Sequence, residues 1–141
     1  MSQIRRYFTT PIYYVNDVPH IGHAYTSIAV DFLARFSRLN GDETRFLTGT
    51  DEHGLKIQKA AEKLSMSPLE LCNKNSEIFR NLTKTLNLSN DDFIRTTEDR
   101  HKDGAAHLWN LLFEKGDIYL DEYTGWYYLN DETFYSEKDL I

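Results

Sequence analysis

Arg6-Tyr7-Phe8-Thr9-Thr10-Pro11, followed after a polar stretch by Pro19-His20-Ile21-Gly22-His23, decides how this chain is read. Aromatic and β-branched residues make the first segment a short strand, and Pro11 stops it. A polar loop carrying Asn16, Asp17 and Pro19 follows. From Ile21 onward, Ile21, Tyr25, Ile28, Phe32, Phe36 and Leu39 recur three and four residues apart, which predicts a helix with one apolar stripe. Asn40-Gly41 ends it in the manner of a left-handed cap. Thr44-Arg45-Phe46-Leu47-Thr48 is then a second strand. Strand, loop, helix and strand in that order make a βαβ unit and predict a parallel sheet.

The same alternation continues. Gly49-Thr50-Asp51 is expected to turn the chain into a helix holding Leu55, Ala60, Ala61 and Leu64. Ser67-Pro68-Leu69-Glu70 is a capping box with proline in the first turn, and its helix is expected to reach about Leu86. Asp92-Phe93-Ile94-Arg95 reads as a third strand, and Glu98 to Lys115 as a helix ended by Gly116. The fold class is therefore α/β, a doubly wound parallel sheet of Rossmann type over residues 1–116. Beyond Gly116 the character changes. Residues 117–135 hold five tyrosines and Trp126, with turn signals at Thr124-Gly125 and Asn130-Asp131. This reads as antiparallel β, and residues 117–141 as the beginning of a second, inserted domain.

With 141 residues, 40% apolar and 13% aromatic, the chain has the composition of a globular protein with a real core. A single cysteine, Cys72, makes neither an internal disulfide nor a CxxC metal clip, which suits a reducing cytosol; a cytoplasmic location is expected. No apolar run approaches membrane-spanning length. The net charge of -6 is concentrated in the second half: residues 1–60 carry 7 basic and 6 acidic groups, residues 61–141 carry 9 and 16. No basic nucleic-acid footprint is present.

The chemistry gathers at Pro19-His20-Ile21-Gly22-His23. It stands after a strand and at a helix start, the edge of a doubly wound sheet where ligands bind. Free N–H groups and a partial positive charge at a helix N-terminus suit a phosphate. His20 and His23, three apart, share a helix face and can donate to phosphate oxygens. Gly22 between them leaves room for a flat base against the backbone. Two histidines near a helix start also arise by chance, and Gly22 could merely ease packing.

The surrounding blocks narrow the choice. Thr9-Thr10-Pro11-Ile12-Tyr13-Tyr14-Val15-Asn16 with Pro19-His20-Ile21-Gly22-His23-Ala24-Tyr25-Thr26 resembles the first signature block of methionyl-tRNA synthetases, class I enzymes with the HIGH motif. Phe46-Leu47-Thr48-Gly49-Thr50-Asp51-Glu52-His53-Gly54 is similar to their second block, and Asp92 to Glu98 and Gly116 to Tyr119 also fit. The resemblance implies that His20 and His23 contact the ATP phosphates and stabilise charge as the α-phosphate is attacked, and that Gly22 lets adenine lie against the backbone. It implies that Asp51 holds the methionine ammonium and that Ile12 and Tyr14 wall the methionine pocket. Methionine and ATP, the latter accompanied by Mg²⁺, are the implied ligands, with tRNA(Met) bound through C-terminal domains that this chain lacks. A capping role for Asp51 at a helix starting at Glu52, and plain loop packing for Ile12 and Tyr14, remain open. His53 reads as a polar neighbour of the site.

Three features depart from a complete enzyme of this kind. The lysine-rich KMSKS loop is absent, most of the methionine pocket is missing, and Tyr128 and Asp131 stand where many members carry the cysteines of a zinc knuckle. No zinc is expected. The chain is expected to be an N-terminal fragment, inactive by itself, of an enzyme that makes methionyl-adenylate and charges tRNA. A noncatalytic remnant that binds nucleotide and a small HxGH nucleotidyltransferase are the alternatives.

Overall fold

A computed structural model of the chain describes residues 4–139. The strands are β1 (Arg5–Thr9), β2 (Tyr13–Tyr14), β3 (Glu43–Asp51), β4 (Asp92–Arg95), β5 (Trp126–Tyr128) and β6 (Thr133–Tyr135). The helices are α1 (Ile21–Leu39), α2 (Leu55–Lys63), α3 (Pro68–Thr85) and α4 (Asp99–Glu114). By packing, the chain forms two compact units, Met1–Lys102 and Asp103–Ile141. Among the described residues no helix is long and apolar enough to cross a membrane.

In the first unit β3 is the central strand, and every partner runs parallel to it. β1 pairs along its first half, from Arg5 opposite Glu43 to Thr9 opposite Leu47. β2 pairs along its end, Tyr13 opposite Thr50 and Tyr14 opposite Asp51. β4 pairs with Leu47 to Thr50. Since Thr50 faces both Tyr13 and Arg95, β2 and β4 lie on opposite edges of β3. The result is the α/β fold with an open parallel sheet that the alternation of elements predicts. Pro11 has no N–H to give, so it splits what would be one long edge strand into β1 and β2. The sequence places a loop where β2 forms, because two residues carry no periodicity of their own.

Helices α1 and α3 lie against the same sheet face. Ser37 Oγ is 2.8 Å from Thr44 Oγ1, and Ser76 Oγ is 3.1 Å from Thr50 Oγ1. Thr44 and Thr50 are an even number apart on β3 and so point the same way. Tyr13, Val15, Ile57, Leu71, Phe79 and Phe93 lead the hydrophobic cluster beneath them.

The apolar stripe of α1 does not face the sheet. Ile21, Tyr25, Ile28, Phe32, Phe36 and Leu39 are 50–86% exposed, and the helix instead buries Ser27, Asp31, Ala34 and Ser37. Small side chains let the helix axis come close to the strands, and their hydroxyls bond to the sheet: Ser27 Oγ lies 2.9 Å from Tyr13 Oη. Asp31 is satisfied at the same time, accepting from the Ser89 amide, the Ser89 hydroxyl and Arg35, all at 2.6 Å.

One expectation needs correction, that Gly49-Thr50-Asp51 turns the chain into a helix. These residues do not turn the chain but complete β3, held on both edges by β2 and β4. A Cβ on Gly49 would lie 2.0 Å from the Ile94 carbonyl oxygen, so glycine is what lets β4 approach. Helix α2 starts at Leu55 with Gly54 at its N-cap, at φ +111°, and Asp51 therefore caps no helix.

In the second unit, β5 and β6 form an antiparallel hairpin, with Trp126 opposite Tyr135 and Tyr128 opposite Thr133. Tyr127 and Tyr123 meet Phe134 at ring separations of 5.0 and 5.2 Å. The tyrosine-rich stretch is thus antiparallel β, as its turn signals suggest. The packing boundary falls after Lys102, inside α4. Helix α4 buries none of its residues, so its apolar positions do not tie it to a core.

Candidate active site

The histidine motif is a capping device. His20 is the N-cap of α1, with an extended backbone, and its Nδ1 accepts from the Gly22 amide at 3.1 Å. His23 reaches back, and its Nδ1 accepts from the His20 amide at 3.0 Å. This is a reciprocal capping box made of two imidazoles rather than the usual hydroxyl and carboxylate. The rings lie 3.8 Å apart and are tilted by 31°. The His23 and Ala24 amides go to the His20 carbonyl. Most first-turn N–H groups are thus already used, and anion-binding capacity moves from the backbone to the rings.

The capping bonds settle which ring nitrogen carries the proton. Because both Nδ1 atoms accept, the neutral form of each ring holds its hydrogen on Nε2. Neither Nε2 has a hydrogen-bond partner among the described residues. Burial pushes the His23 imidazole below its ordinary pKa, and the neighbouring His20 adds to the effect. His23 is therefore neutral near pH 7 and offers a single donor.

Aromatic packing sets the depth of this pair. Tyr13 meets the His23 ring edge-on at 4.8 Å, Phe79 does the same at 5.0 Å, and Tyr13 stacks on Phe79 at 5.7 Å. Tyr13 comes from β2 and Phe79 from α3, so the sheet and a second helix both hold His23. Gly22 has a visible steric reason: a Cβ there would lie 2.9 Å from Cε1 of the folded-back His20 ring.

A cleft of about 680 Å³ opens beside the pair. Ile12, Tyr14, His20 and His23 all line it, with Asn16 and Asp17 at its polar side. The structure thus brings four of the six singled-out residues into one cavity. Gly22 stands between the histidines, in contact with the His20 ring. Asp51 does not line the cleft. It ends β3 directly opposite Tyr14, half-buried, and its carboxylate takes no hydrogen bond or ion pair from a described residue. Ile12 and Tyr14 are 40% and 44% exposed, so both present surface to the cleft they line. Lys56 approaches the Tyr14 ring at 5.8 Å.

Sequence reasoning passed over Tyr13, Phe79, Glu52 and Arg95. The Glu52 side chain is fully buried and accepts from Arg95 Nε and one Arg95 terminal nitrogen at 2.7 and 2.9 Å. It also accepts from Thr50 Oγ1 at 2.8 Å and from the Thr97 hydroxyl. The one signal in the sequence is that Thr50 to His53 and Arg95 to Thr97 are polar runs at the ends of two predicted strands.

Among the described residues no group of three His, Cys, Asp or Glu side chains could hold a metal ion. In the hairpin, Tyr128 pairs with Thr133 and Asp131 accepts from the Tyr135 hydroxyl at 2.6 Å. The remaining clefts include one of about 500 Å³ lined by Arg80, Lys84 and Asp92, which contains none of the site residues.

The chain is similar to known proteins over nearly its whole length. Residues 6–141 match the family model described as tRNA synthetases class I (M). The methionine–tRNA ligase of Rickettsia bellii is 57% identical over 134 residues, which is 95% of this chain and 26% of that protein. That of Mesorhizobium japonicum is 52% identical over 139 residues, 99% of this chain and 27% of the relative. The solved structure of Mycobacterium tuberculosis methionyl-tRNA synthetase in complex with methionyl-adenylate superposes with a TM-score of 0.90 at 47% identity, covering 97% of this chain and 27% of the other. The chain therefore spans about a quarter of the length of its relatives, and with its parallel sheet and histidine-capped helix it belongs to the class I tRNA synthetase family of the methionyl type.

Proposed function

We propose that this chain carries the ATP- and methionine-binding edge of a methionine–tRNA ligase, and that the ligase activity belongs to a protein containing it together with the rest of the catalytic and tRNA-binding parts. The observation that carries this reading is the imidazole pair, whose capping bonds leave two Nε2–H donors side by side at the mouth of a cleft. In the proposed reaction the methionine carboxylate attacks the α-phosphorus of ATP and pyrophosphate leaves, giving methionyl-adenylate; the methionyl group then passes to tRNA(Met). No protein nucleophile is required. His20 and His23 donate to phosphate oxygens as negative charge builds, and their geometry is fixed before substrate arrives. Gly22 keeps the helix start narrow enough for the adenine base. Asp51, with an uncommitted carboxylate, takes the methionine ammonium, and Ile12 and Tyr14 face the thioether chain.

Mg²⁺ enters with the ATP phosphates, a mode that needs one or two carboxylates and not a full protein cage. Asp17 and Asn16 are the oxygen-bearing side chains of the cleft suited to that part. The proposal includes no zinc, and it places the protein in the cytoplasm. Residues 117–141 are assigned to the start of an inserted connective domain.

The test is methionine-dependent ATP–pyrophosphate exchange, measured on this chain and on a hybrid in which it replaces the matching quarter of the Rickettsia bellii ligase. Exchange by the hybrid only is expected, and His20→Ala or His23→Ala should then remove about 3 kcal/mol of transition-state stabilisation. Exchange driven by another phosphoacceptor, without methionine, would identify a nucleotidyltransferase. A folded hybrid inactive with every acceptor would leave only a noncatalytic role.

A further inference from the structure

Glu52 follows Asp51, yet the two adjacent carboxylates have opposite surroundings. Asp51 is half-buried, and its carboxylate takes no hydrogen bond or ion pair from a described residue. Glu52 is tied at every polar atom. Its carboxylate accepts from Arg95, Thr50 and Thr97. Its amide donates to Thr96 Oγ1 at 2.9 Å, and its carbonyl accepts from Cys72 Sγ at 3.6 Å. Arg95 is steadied in turn by Asn73 Oδ1 at 2.7 Å. Three elements converge on this residue: the end of β3, the end of β4 and the first half of α3.

Such a degree of fixation is not needed to finish a strand. Burying a carboxylate and a guanidinium together is costly and is often no more stable than an apolar pair. What the arrangement does supply is direction. With amide, carbonyl and side chain of Glu52 all held, the peptide joining it to Asp51 cannot rotate, so the Asp51 side chain leaves β3 at a set angle beside Tyr14. Arg95 also neutralises Glu52, so two neighbouring negative charges do not compete for one cation.

We propose that Glu52, clamped by Arg95, Thr50 and Thr97, is a positioning residue that aims the Asp51 carboxylate at the substrate ammonium and so sets methionine affinity. This rests on Asp51 being the ammonium site. The function is specific: the clamp acts on recognition of the amino group, not on ATP and not on the thioether.

The experiment uses the hybrid ligase described above, with Asp51→Asn, Glu52→Gln and Asn73→Ala variants. Glu52→Gln keeps the size but weakens the hold on Arg95; Asn73→Ala loosens Arg95 from an exposed position without stranding a buried charge. Glu52→Gln is expected to raise KM for methionine on the order of 10- to 100-fold, the scale of an ångström-level misplacement, with KM for ATP unchanged. Asn73→Ala should shift it the same way by a smaller factor. Inhibition by 4-(methylthio)butanoate, which lacks the amino group, should be unchanged, whereas inhibition by methioninol, which keeps it, should weaken in step with methionine. If Asp51→Asn leaves methionine KM unchanged, the ammonium assignment itself fails. If Asp51→Asn raises it but Glu52→Gln and Asn73→Ala do not, or if they weaken both inhibitors and ATP alike, the positioning role is overturned while the assignment stands. Should Glu52→Gln fail to fold, Asn73→Ala decides alone.

Discussion

The two faces of α1 are made from opposite materials. The inner face, against the sheet, is Ser27, Asp31, Ala34 and Ser37; the outer face is Ile21, Tyr25, Ile28, Phe32, Phe36 and Leu39. The usual expectation for a helix on a sheet is the reverse. The difference teaches that apolar periodicity locates a helix without telling which side packs. Here the packed side is chosen by close approach and by hydrogen bonds: Ser27 to Tyr13, Ser37 to Thr44, and Asp31 to Ser89 and Arg35. Contacts of that kind are short-range and unforgiving, while the outer stripe makes few demands on its neighbours. Substitutions on the two sides, and in the strand that the inner side covers, should therefore differ sharply.

The largest effect is expected in β3, beneath the helices. Gly49→Ala puts a Cβ into the space held by the Ile94 carbonyl oxygen, 2.0 Å away. A backbone atom in a paired strand cannot step aside as a side-chain tip can. The β3–β4 pairing must open, at a cost above about 3 kcal/mol. Urea denaturation of the 141-residue chain measures it, and a loss under 1 kcal/mol would show that β4 is loosely held.

Next comes the inner face itself. Asp31→Asn weakens the acceptor of three hydrogen bonds and removes the charge paired with Arg35, which keeps only its bond to the Asn87 carbonyl, so a loss of about 1–3 kcal/mol is expected by the same measurement. The pH dependence should follow. Burial pushes the Asp31 carboxyl up, but the Ser89 hydroxyl, Arg35 and the Ser89 amide outweigh it and hold the pKa below the ordinary value. Burial likewise raises the pKa of Glu52, and its bonds from Arg95, Thr97 and Thr50 prevail in the same direction. A carboxyl with a depressed folded pKa stabilises fully above its unfolded pKa, and that stability is lost as pH falls through the folded value. The chain should therefore keep its stability down to about pH 4.5 and lose it below, where protonation of the unfolded state begins to dominate. In the Asp31→Asn variant the acid limb of the stability curve should be shallower; an unchanged limb would mean that Asp31 is not the titrating group.

Legibility in the sequence followed the same division. Where structure is local, residues announced it: Ser67 and Glu70 form the capping box at α3, with Glu70 Oε2 accepting from the Ser67 amide at 2.8 Å and Ser67 Oγ accepting in return at 3.2 Å. The parallel sheet followed from alternating strand and helix patterns, and the histidine motif from its place between them. Features made by distant partners were invisible. β2 exists because Thr50 and Asp51 offer an edge to Tyr13 and Tyr14, not because two tyrosines after a proline propose a strand. The continuation of β3 through Gly49 depends on β4. The clamp on Glu52 depends on atoms of β3, β4 and α3 brought together only by folding, and no spacing in the chain encodes it.

The smallest effect on stability should come from the outer face of α1, and it completes the contrast. Phe32 and Phe36 stack at 6.5 Å, yet they are 66% and 55% exposed. Replacing both with serine removes apolar surface that is mostly in water already, so the unfolding free energy should change by no more than about 0.5 kcal/mol. Self-association is a separate matter. A continuous apolar stripe along a 19-residue helix is the kind of surface that draws molecules together at high concentration, and its removal should lower the apparent mass in sedimentation at millimolar protein. If Phe32→Ser/Phe36→Ser instead unfolds the chain as readily as Asp31→Asn, the stripe has a packing role within the first unit, and the helix is held from both sides rather than one.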